Sequence, residues 1–197
     1  MEVLCQAMGP YQTNCFIIVH NEQEIIIDPG TGAVDWIRAN VKNPVAILNT
    51  HGHSDHIWSN KTLQNIFKIP LYCPIDDVFM LTNDFDNEGY ELSTPDIEIK
   101  DEEVFNIAGL EIRFLHFPGH TPGCSAIQIG KALFSGDFIF KGSIGRVDFP
   151  FSSPKDMKKS IEKFMLIEED MVIYSGHGPN TTVKEEQKTL PNWIRYL

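Results

Sequence analysis

The stretch Val45-Ala46-Ile47-Leu48-Asn49-Thr50-His51-Gly52-His53-Ser54-Asp55-His56 decides how the rest of the chain is read. Its first four residues are apolar without alternation, the pattern of a strand covered on both faces. The residues that follow place three imidazoles and a carboxylate within six positions at the C-terminal end of that strand. A loop there presents functional groups on a rigid support. Imidazole and carboxylate are borderline-to-hard ligands suited to zinc, iron or manganese. In an extended or turning segment His51 and His53 point one way, while Asp55 and His56 reach past them. One ion cannot easily use all four groups; two neighbouring ions can, given further ligands from elsewhere in the chain.

Three more segments supply such ligands. Pro118-Gly119-His120-Thr121-Pro122-Gly123 puts a histidine on a tight loop after the strand Leu110–His116. Ser135-Gly136-Asp137 puts a carboxylate directly after an apolar run at 132–135, and Ser175-Gly176-His177-Gly178 puts a histidine directly after one at 171–174. Small residues at these points let backbone and ion approach closely. Taken singly, His120 and His177 read as satisfied structural histidines and Asp137 as a turn former. Taken together, four repeats of apolar strand, small residues and ligand point to a metal centre. His20 and His116 fall outside the pattern and are read as structural.

The surrounding chain fits a single domain spanning residues 1–197. Short β-rich runs at 15–19 and 24–28 are separated by Asn21-Glu22-Gln23. A helix carrying Val34, Ile37 and Val41 follows, stopped by Pro44. Helical spacing covers 57–67 and about 76–82, and further strands are expected at 71–73, 103–107, 110–116, 124–129, 132–135 and 171–174. Ser153, Pro154 and Asp156 form an N-terminal capping pattern ahead of a stripe of Met157, Ile161, Phe164 and Met165. A last helix begins near Thr182, with Glu185 three residues on. Strands alternating with helices after an early β-rich run predict helices packed outside sheets.

Composition narrows the function. The chain carries 16 Lys+Arg against 27 Asp+Glu, a formal charge of −11. That balance argues against broad nucleic-acid or anionic-membrane binding, so neither is expected as a partner. Much of the acidic excess lies in residues 74–103, including Asp76, Asp77, Asp84, Asp86 and Glu88, and reads as a solvent-facing surface. No apolar stretch approaches a membrane span and no export signal is visible, so a cytoplasmic protein with four free thiols is expected.

The run Thr50-His51-Gly52-His53-Ser54-Asp55-His56, with His120, Asp137 and His177, resembles the metallo-β-lactamase superfamily across nearly the whole chain. Within it, residues 134–140 and Gly142-Ser143-Ile144-Gly145-Arg146 are similar to glyoxalase II. Residues 143–150 look more like the short, single-domain relatives of that enzyme. The resemblance implies a mixed α/β fold, a four-layer αββα sandwich with the metals at one edge. It also implies an allotment of ligands: His51, His53 and His120 to one ion, Asp55, His56 and His177 to a second, and Asp137 to both. Two divalent ions are therefore expected, zinc first, with iron or manganese as options. Arg146 matches a basic residue that binds the glutathione carboxylate in that family, with Lys141 a second candidate. Full-length glyoxalase II adds a C-terminal helical domain and an aromatic residue soon after the basic one; here Val147-Asp148 follows Arg146.

Two ions ~3.5–4 Å apart can hold and activate a bridging water for attack on a carbonyl, with Asp55 and Asp137 as the carboxylates of the catalytic centre. A thiolate leaving group needs no strong general acid, and none is evident. The expected activity is hydrolysis of an anionic thioester, with S-lactoylglutathione the candidate. A mononuclear-iron persulfide dioxygenase and a phosphodiesterase or lactonase are the alternatives. A β-lactamase fits less well, because Asp137 stands where such enzymes commonly use another ligand.

Overall fold

A computed structural model describes residues 1–85 and 87–197. Asp86, one of the acids of the 74–103 run, lies outside the described residues. Two six-stranded sheets organise the chain. The first runs β1 (Glu2–Met8), β2 (Thr13–His20), β3 (Gln23–Ile27), β4 (Pro44–Leu48), β5 (Leu71–Pro74), β6 (Ile97–Ile99), in that spatial order. The second contains β7 (Val104–Ile107), β8 (Leu110–His116), β9 (Ser125–Ile129), β10 (Ala132–Gly136), β13 (Val172–Ser175) and β14 (Thr181–Thr182), ordered β14-β13-β10-β9-β8-β7. A small hairpin, β11 (Ile139–Phe140) with β12 (Ser143–Ile144), stands apart. The helices are α1 (Ala33–Asn40), α2 (Ser54–Ile57), α3 (Asn60–Phe67), α4 (Val78–Thr82), α5 (Pro154–Phe164) and α6 (Val183–Trp193).

Side-chain alternation along the strands sorts the core into three layers. Phe16 and Ile18 of β2, Ile25 and Ile27 of β3, and Ala46 and Leu48 of β4 face Ile112, Phe114, Ile127 and Phe134 of the other sheet. Their neighbours Cys15, Ile17, Ile26 and Ile47 point the opposite way, onto Ala33 and Ile37 of α1 and Leu63 of α3. On the far face of the second sheet, Ala126, Leu133 and Ile173 pack against Met157, Ile161 and Phe164 of α5 and Val183 and Leu190 of α6. Helices thus cover both outer faces, which gives the four layers expected. β4 and the Ile25–Ile27 part of β3 are apolar without alternation because both of their faces are covered. The four cysteines are free, and Cys15, Cys73 and Cys124 are buried as small core residues.

Both helix caps read from the sequence are present. The Ser153 hydroxyl accepts the Asp156 N–H at 3.2 Å, and the Thr182 hydroxyl accepts that of Glu185 at 3.3 Å. Four details differ from expectation. The helix expected at 57–67 is two pieces, because Ser59 turns its N–H to the Pro29 carbonyl (2.9 Å) and its hydroxyl to that of Gly30 (2.7 Å). Asp55 and His56 sit on the turn α2, the turning one of the two conformations expected for that segment. The 76–82 helix opens as a 3-10 turn, Ile75–Asp77, before α4. Met165 lies one residue beyond α5 and is half-buried, whereas the other three members of its stripe are buried. Strands β1 and β6, at the two edges of the first sheet, escape sequence reading because edge strands with little burial lack an apolar pattern.

Candidate metal centre

β3 and β4 run parallel, and so do β10 and β13, while β8 has the same sense as β10 through the antiparallel β9. Their C-terminal ends meet at one edge of the sandwich, where Ser125 N–H bonds the Thr50 carbonyl (2.9 Å) and Asn14 N–H that of Gly176 (2.7 Å). All seven expected ligands converge there.

The donor atoms of His51, His53 and His120 lie within 4.8 Å of one another, as do those of Asp55, His56 and His177. Asp137 stands between the two triads. Its Oδ1 is 3.2 Å from His56 Nε2, and its Oδ2 is 3.5 Å from His120 Nε2 and 3.4 Å from His177 Nε2. Gly176 is required beside it, since a Cβ there would fall 2.2 Å from Asp137 Oδ1.

The far nitrogens of His51, His56, His120 and His177 are anchored, which fixes their tautomers. His56 Nδ1 donates to Asp28 Oδ2 (3.0 Å), His120 Nδ1 to the Arg146 carbonyl (2.8 Å) and His177 Nδ1 to the Tyr11 carbonyl (3.0 Å). His51 Nδ1 lies 3.0 Å from the Thr50 hydroxyl, whose proton goes to Asp28 Oδ2 at 2.6 Å, so the imidazole is the donor of that pair. The Nε2 lone pairs are left facing inward. His51 Nε2, His56 Nε2, His120 Nε2 and Asp137 Oδ1 are buried with no hydrogen-bond partner. The His56–Asp137 approach is close but not aligned as a hydrogen bond. Orphaned buried polar atoms are costly unless something else satisfies them, and five imidazoles with two carboxylates suit a dinuclear metal site.

Electrostatics divide the cluster. Burial, reinforced by neighbouring imidazoles, pushes His51 well below the usual histidine range and His53 down to about 4; burial also lowers His120. The other half holds the carboxylates. Burial alone would raise Asp55, but the His56 charge and contacts from His177 and Thr13 hold it near 2. Asp137 is held well below its usual value against burial, first by His56. In return Asp55 and Asp137 raise His56 well above its usual range, and contacts with the same carboxylates lift His177 to about 10, both against burial. Protons on those two imidazoles do what a bound cation would do: balance two buried carboxylates.

Several residues that build the site carry no sequence signal. Asp28, at the end of β3, takes the Thr50 N–H (2.8 Å) and the Thr50 hydroxyl, besides His56. Thr13 donates to Asp55 Oδ2 at 2.6 Å. Asp77 corrects the reading of the acidic run as solvated surface. It is 0% exposed and accepts from Gly52 N–H (2.9 Å), the Thr121 hydroxyl (2.6 Å) and Gly123 N–H (2.6 Å). It therefore ties the His51–His53 loop to the His120 loop. Gly123 makes room for it, because a Cβ there would sit 2.8 Å from the carboxyl carbon. Burial raises Asp77 to about 6 although these three hydrogen bonds pull it down.

The expected substrate contacts fare differently. Arg146 is 64% exposed, paired through two hydrogen bonds with Asp148 (2.9 and 2.7 Å). Its guanidinium lies 4.2 Å over the Phe149 ring, which is 5.8 Å from that of His53. An aromatic ring thus stands beside the basic residue after all, three positions on. Lys141 is exposed at the turn of the β11–β12 hairpin, whose Gly142 is bound to Glu186 and Trp193 of α6.

A family model described as the metallo-beta-lactamase superfamily matches residues 8–177. The chain belongs to this superfamily, whose members are metal-dependent hydrolases. An uncharacterized protein of Aquifex aeolicus (strain VF5) is 34% identical over 198 residues, 93% of each chain. The hydroxyacylglutathione hydrolase GloC of Haemophilus influenzae is 30% identical over 203 residues, 92% of each chain. Among solved structures, the B3 metallo-beta-lactamase BLEG-1 superposes with a TM-score of 0.88 at 29% identity, covering 97% of this chain and 99% of that one. TTHA1623 in a di-iron-bound form superposes with a TM-score of 0.80 at 30% identity, covering 94% and 98%. Among the described residues no helix is long and apolar enough to cross a membrane.

Proposed function

We propose that the protein is a dinuclear metal-dependent thioester hydrolase acting on an anionic substrate, with S-lactoylglutathione the first to test. The observation that carries this reading is the inward-facing, partnerless Nε2 set grouped around Asp137. In this scheme His51, His53 and His120 hold one ion, Asp55, His56 and His177 the other, and Asp137 both. When bound, such a pair supplies a water-derived nucleophile at neutral pH and polarises a carbonyl. Asp28, Thr50, Tyr11 and the Arg146 carbonyl keep the imidazoles aimed, and Thr13 holds Asp55. No cysteine is used as nucleophile: burial pushes the thiols of Cys15, Cys73 and Cys124 well above their usual range and raises that of Cys5. Arg146 exchanges Asp148 for a carboxylate of the thiol portion, and Lys141 serves as a more distant cation. A thiolate leaves without a proton donor, which matches a site that has none to spare.

Zinc and iron are both candidates, the second because a relative at 30% identity is seen with two irons. The test combines metal counting with a panel of S-lactoylglutathione, glutathione persulfide, a phosphodiester and a β-lactam. Two ions per chain and thioester turnover abolished by His53→Ala are expected. One iron per chain with oxygen uptake on the persulfide would replace hydrolysis with oxygenation.

A further inference from the structure

Four phenylalanines stand at the His51–His53–His120 side of the cluster and are not used by the hydrolytic scheme. The Phe149 ring is 5.8 Å from His53 and 6.1 Å from His120. Two residues on, Phe151 meets Phe79 edge-on at 4.9 Å and Phe85 at 5.8 Å, and Phe79 meets Phe85 at 5.5 Å. Three of these rings remain in water: Phe85 is 52% exposed, Phe151 53% and Phe149 37%. Large apolar side chains left in contact on a surface mark a place where something apolar binds.

The position of this wall relative to the ligands is fixed. Ser152, next to Phe151, donates its hydroxyl to the His120 carbonyl at 2.8 Å. Gly52, between His51 and His53, lies against Met80, next to Phe79, so that a Cβ on it would come within 2.9 Å of that side chain. The Ser54 hydroxyl, on the residue after His53, donates to the Glu88 carboxylate.

Phe151 also has a φ of +66°, the left-handed region that favours glycine and that a bulky side chain enters only at a cost. Half-exposed, the ring does not recover that cost by burial. An outlier of this kind next to a site points to a role for the side chain in binding.

We propose that Phe79, Phe85, Phe149 and Phe151 form an apolar subsite for the acyl group, so that the preferred thioesters carry an aromatic or medium-chain acyl group. The inference rests on the thioesterase reading for the word acyl. The occupant follows from two features. Phe149 meets His53 and His120, Phe151 two residues on meets Phe79 and Phe85, and a cation, Arg146, lies over the Phe149 ring. An apolar body with an anionic end matches both, and Arg146 takes the anionic thiol portion.

Because binding can be separated from turnover, the metal-loaded protein is titrated calorimetrically with two non-hydrolysable thioethers, S-hexylglutathione and S-methylglutathione. Wild type is compared with Phe151→Gly and Phe79→Ala, and hydrolysis of S-lactoyl- and S-phenylacetylglutathione is followed alongside. The hexyl compound should bind roughly tenfold or more tightly than the methyl compound. Phe151→Gly should remove most of that gap while its Tm holds or rises, since glycine fits the left-handed backbone. Equal binding of the two thioethers, or a gap that survives in both variants, overturns the proposal. So does a fall in Tm with the gap intact, which would make the ring a packing element. Dimeric wild type with monomeric Phe151→Gly and an unchanged gap would make the face a contact between copies. If the gap appears and responds to the variants but neither thioester is cleaved, the subsite stands and the thioesterase reading falls. Thioester cleavage with no acyl preference has the opposite meaning.

Discussion

At the scale of single residues, protons and a bound metal would compete for the same nitrogens of the cluster. Without metal, His177 is raised to about 10 and His56 well above its usual range by Asp55 and Asp137. Both therefore carry protons at pH 7, and a metal ligand must be neutral. Loading the site should release on the order of one to two protons per chain at pH 7. Raising the pH removes the competitor, so zinc affinity should increase from pH 6 to pH 8. Calorimetric titration with zinc in two buffers of different ionisation heat checks this; a buffer-independent enthalpy would refute it. His51, His53 and His120 are legible as candidate ligands because their spacing and strand-end position are written in the chain. Asp28 and Asp77 are not. A buried acceptor looks like any other aspartate until the donors it serves, 22 to 46 residues away, are brought to it.

At the scale of elements, each ligand loop is held by a neighbour distant in sequence. Asn14, at the start of β2, donates to the Ser175 and Gly178 carbonyls, both at 2.9 Å, and so fixes the loop after β13 that carries His177. Asn14→Ala would leave those carbonyls short of donors, at about 1–3 kcal/mol. At roughly 2–4 °C per kcal/mol for a chain of this size, Tm should fall by several degrees. Metal content should drop toward one ion per chain, because the Asp55, His56 and His177 set loses its third member while the His51, His53 and His120 set is untouched. Thermal melts and elemental analysis read both effects, and full metal content in a destabilised variant would confine Asn14 to a packing role. Local signals were reliable for the helix caps at Ser153 and Thr182, since a capping hydroxyl and its partner lie three residues apart. They missed the break at Ser59, whose partners are Pro29 and Gly30.

At the scale of the molecule, the two sheets each bring part of the cluster to their shared edge, so metal binding there would be coupled to folding. An ion present at about a hundred times its Kd adds about 2.7 kcal/mol to a state that alone can bind it. Chelation should accordingly lower the Tm by about 5–10 °C, and readdition of metal should restore it. A melt unaffected by chelator would mean that the cluster holds no metal in solution. The chain by itself determined the candidate ligand types, their place after apolar strands, and the helices outside sheets, because strand alternation and strand-end chemistry are local in sequence. Tertiary structure alone decided which nitrogen of His51, His56, His120 and His177 faces inward, and that Asp77 joins the His51–His53 loop to the His120 loop. It also decided that phenylalanines from residues 79 to 151 meet in one exposed wall. Those properties depend on hydrogen bonds and packing between segments far apart in the chain, and no local pattern encodes them.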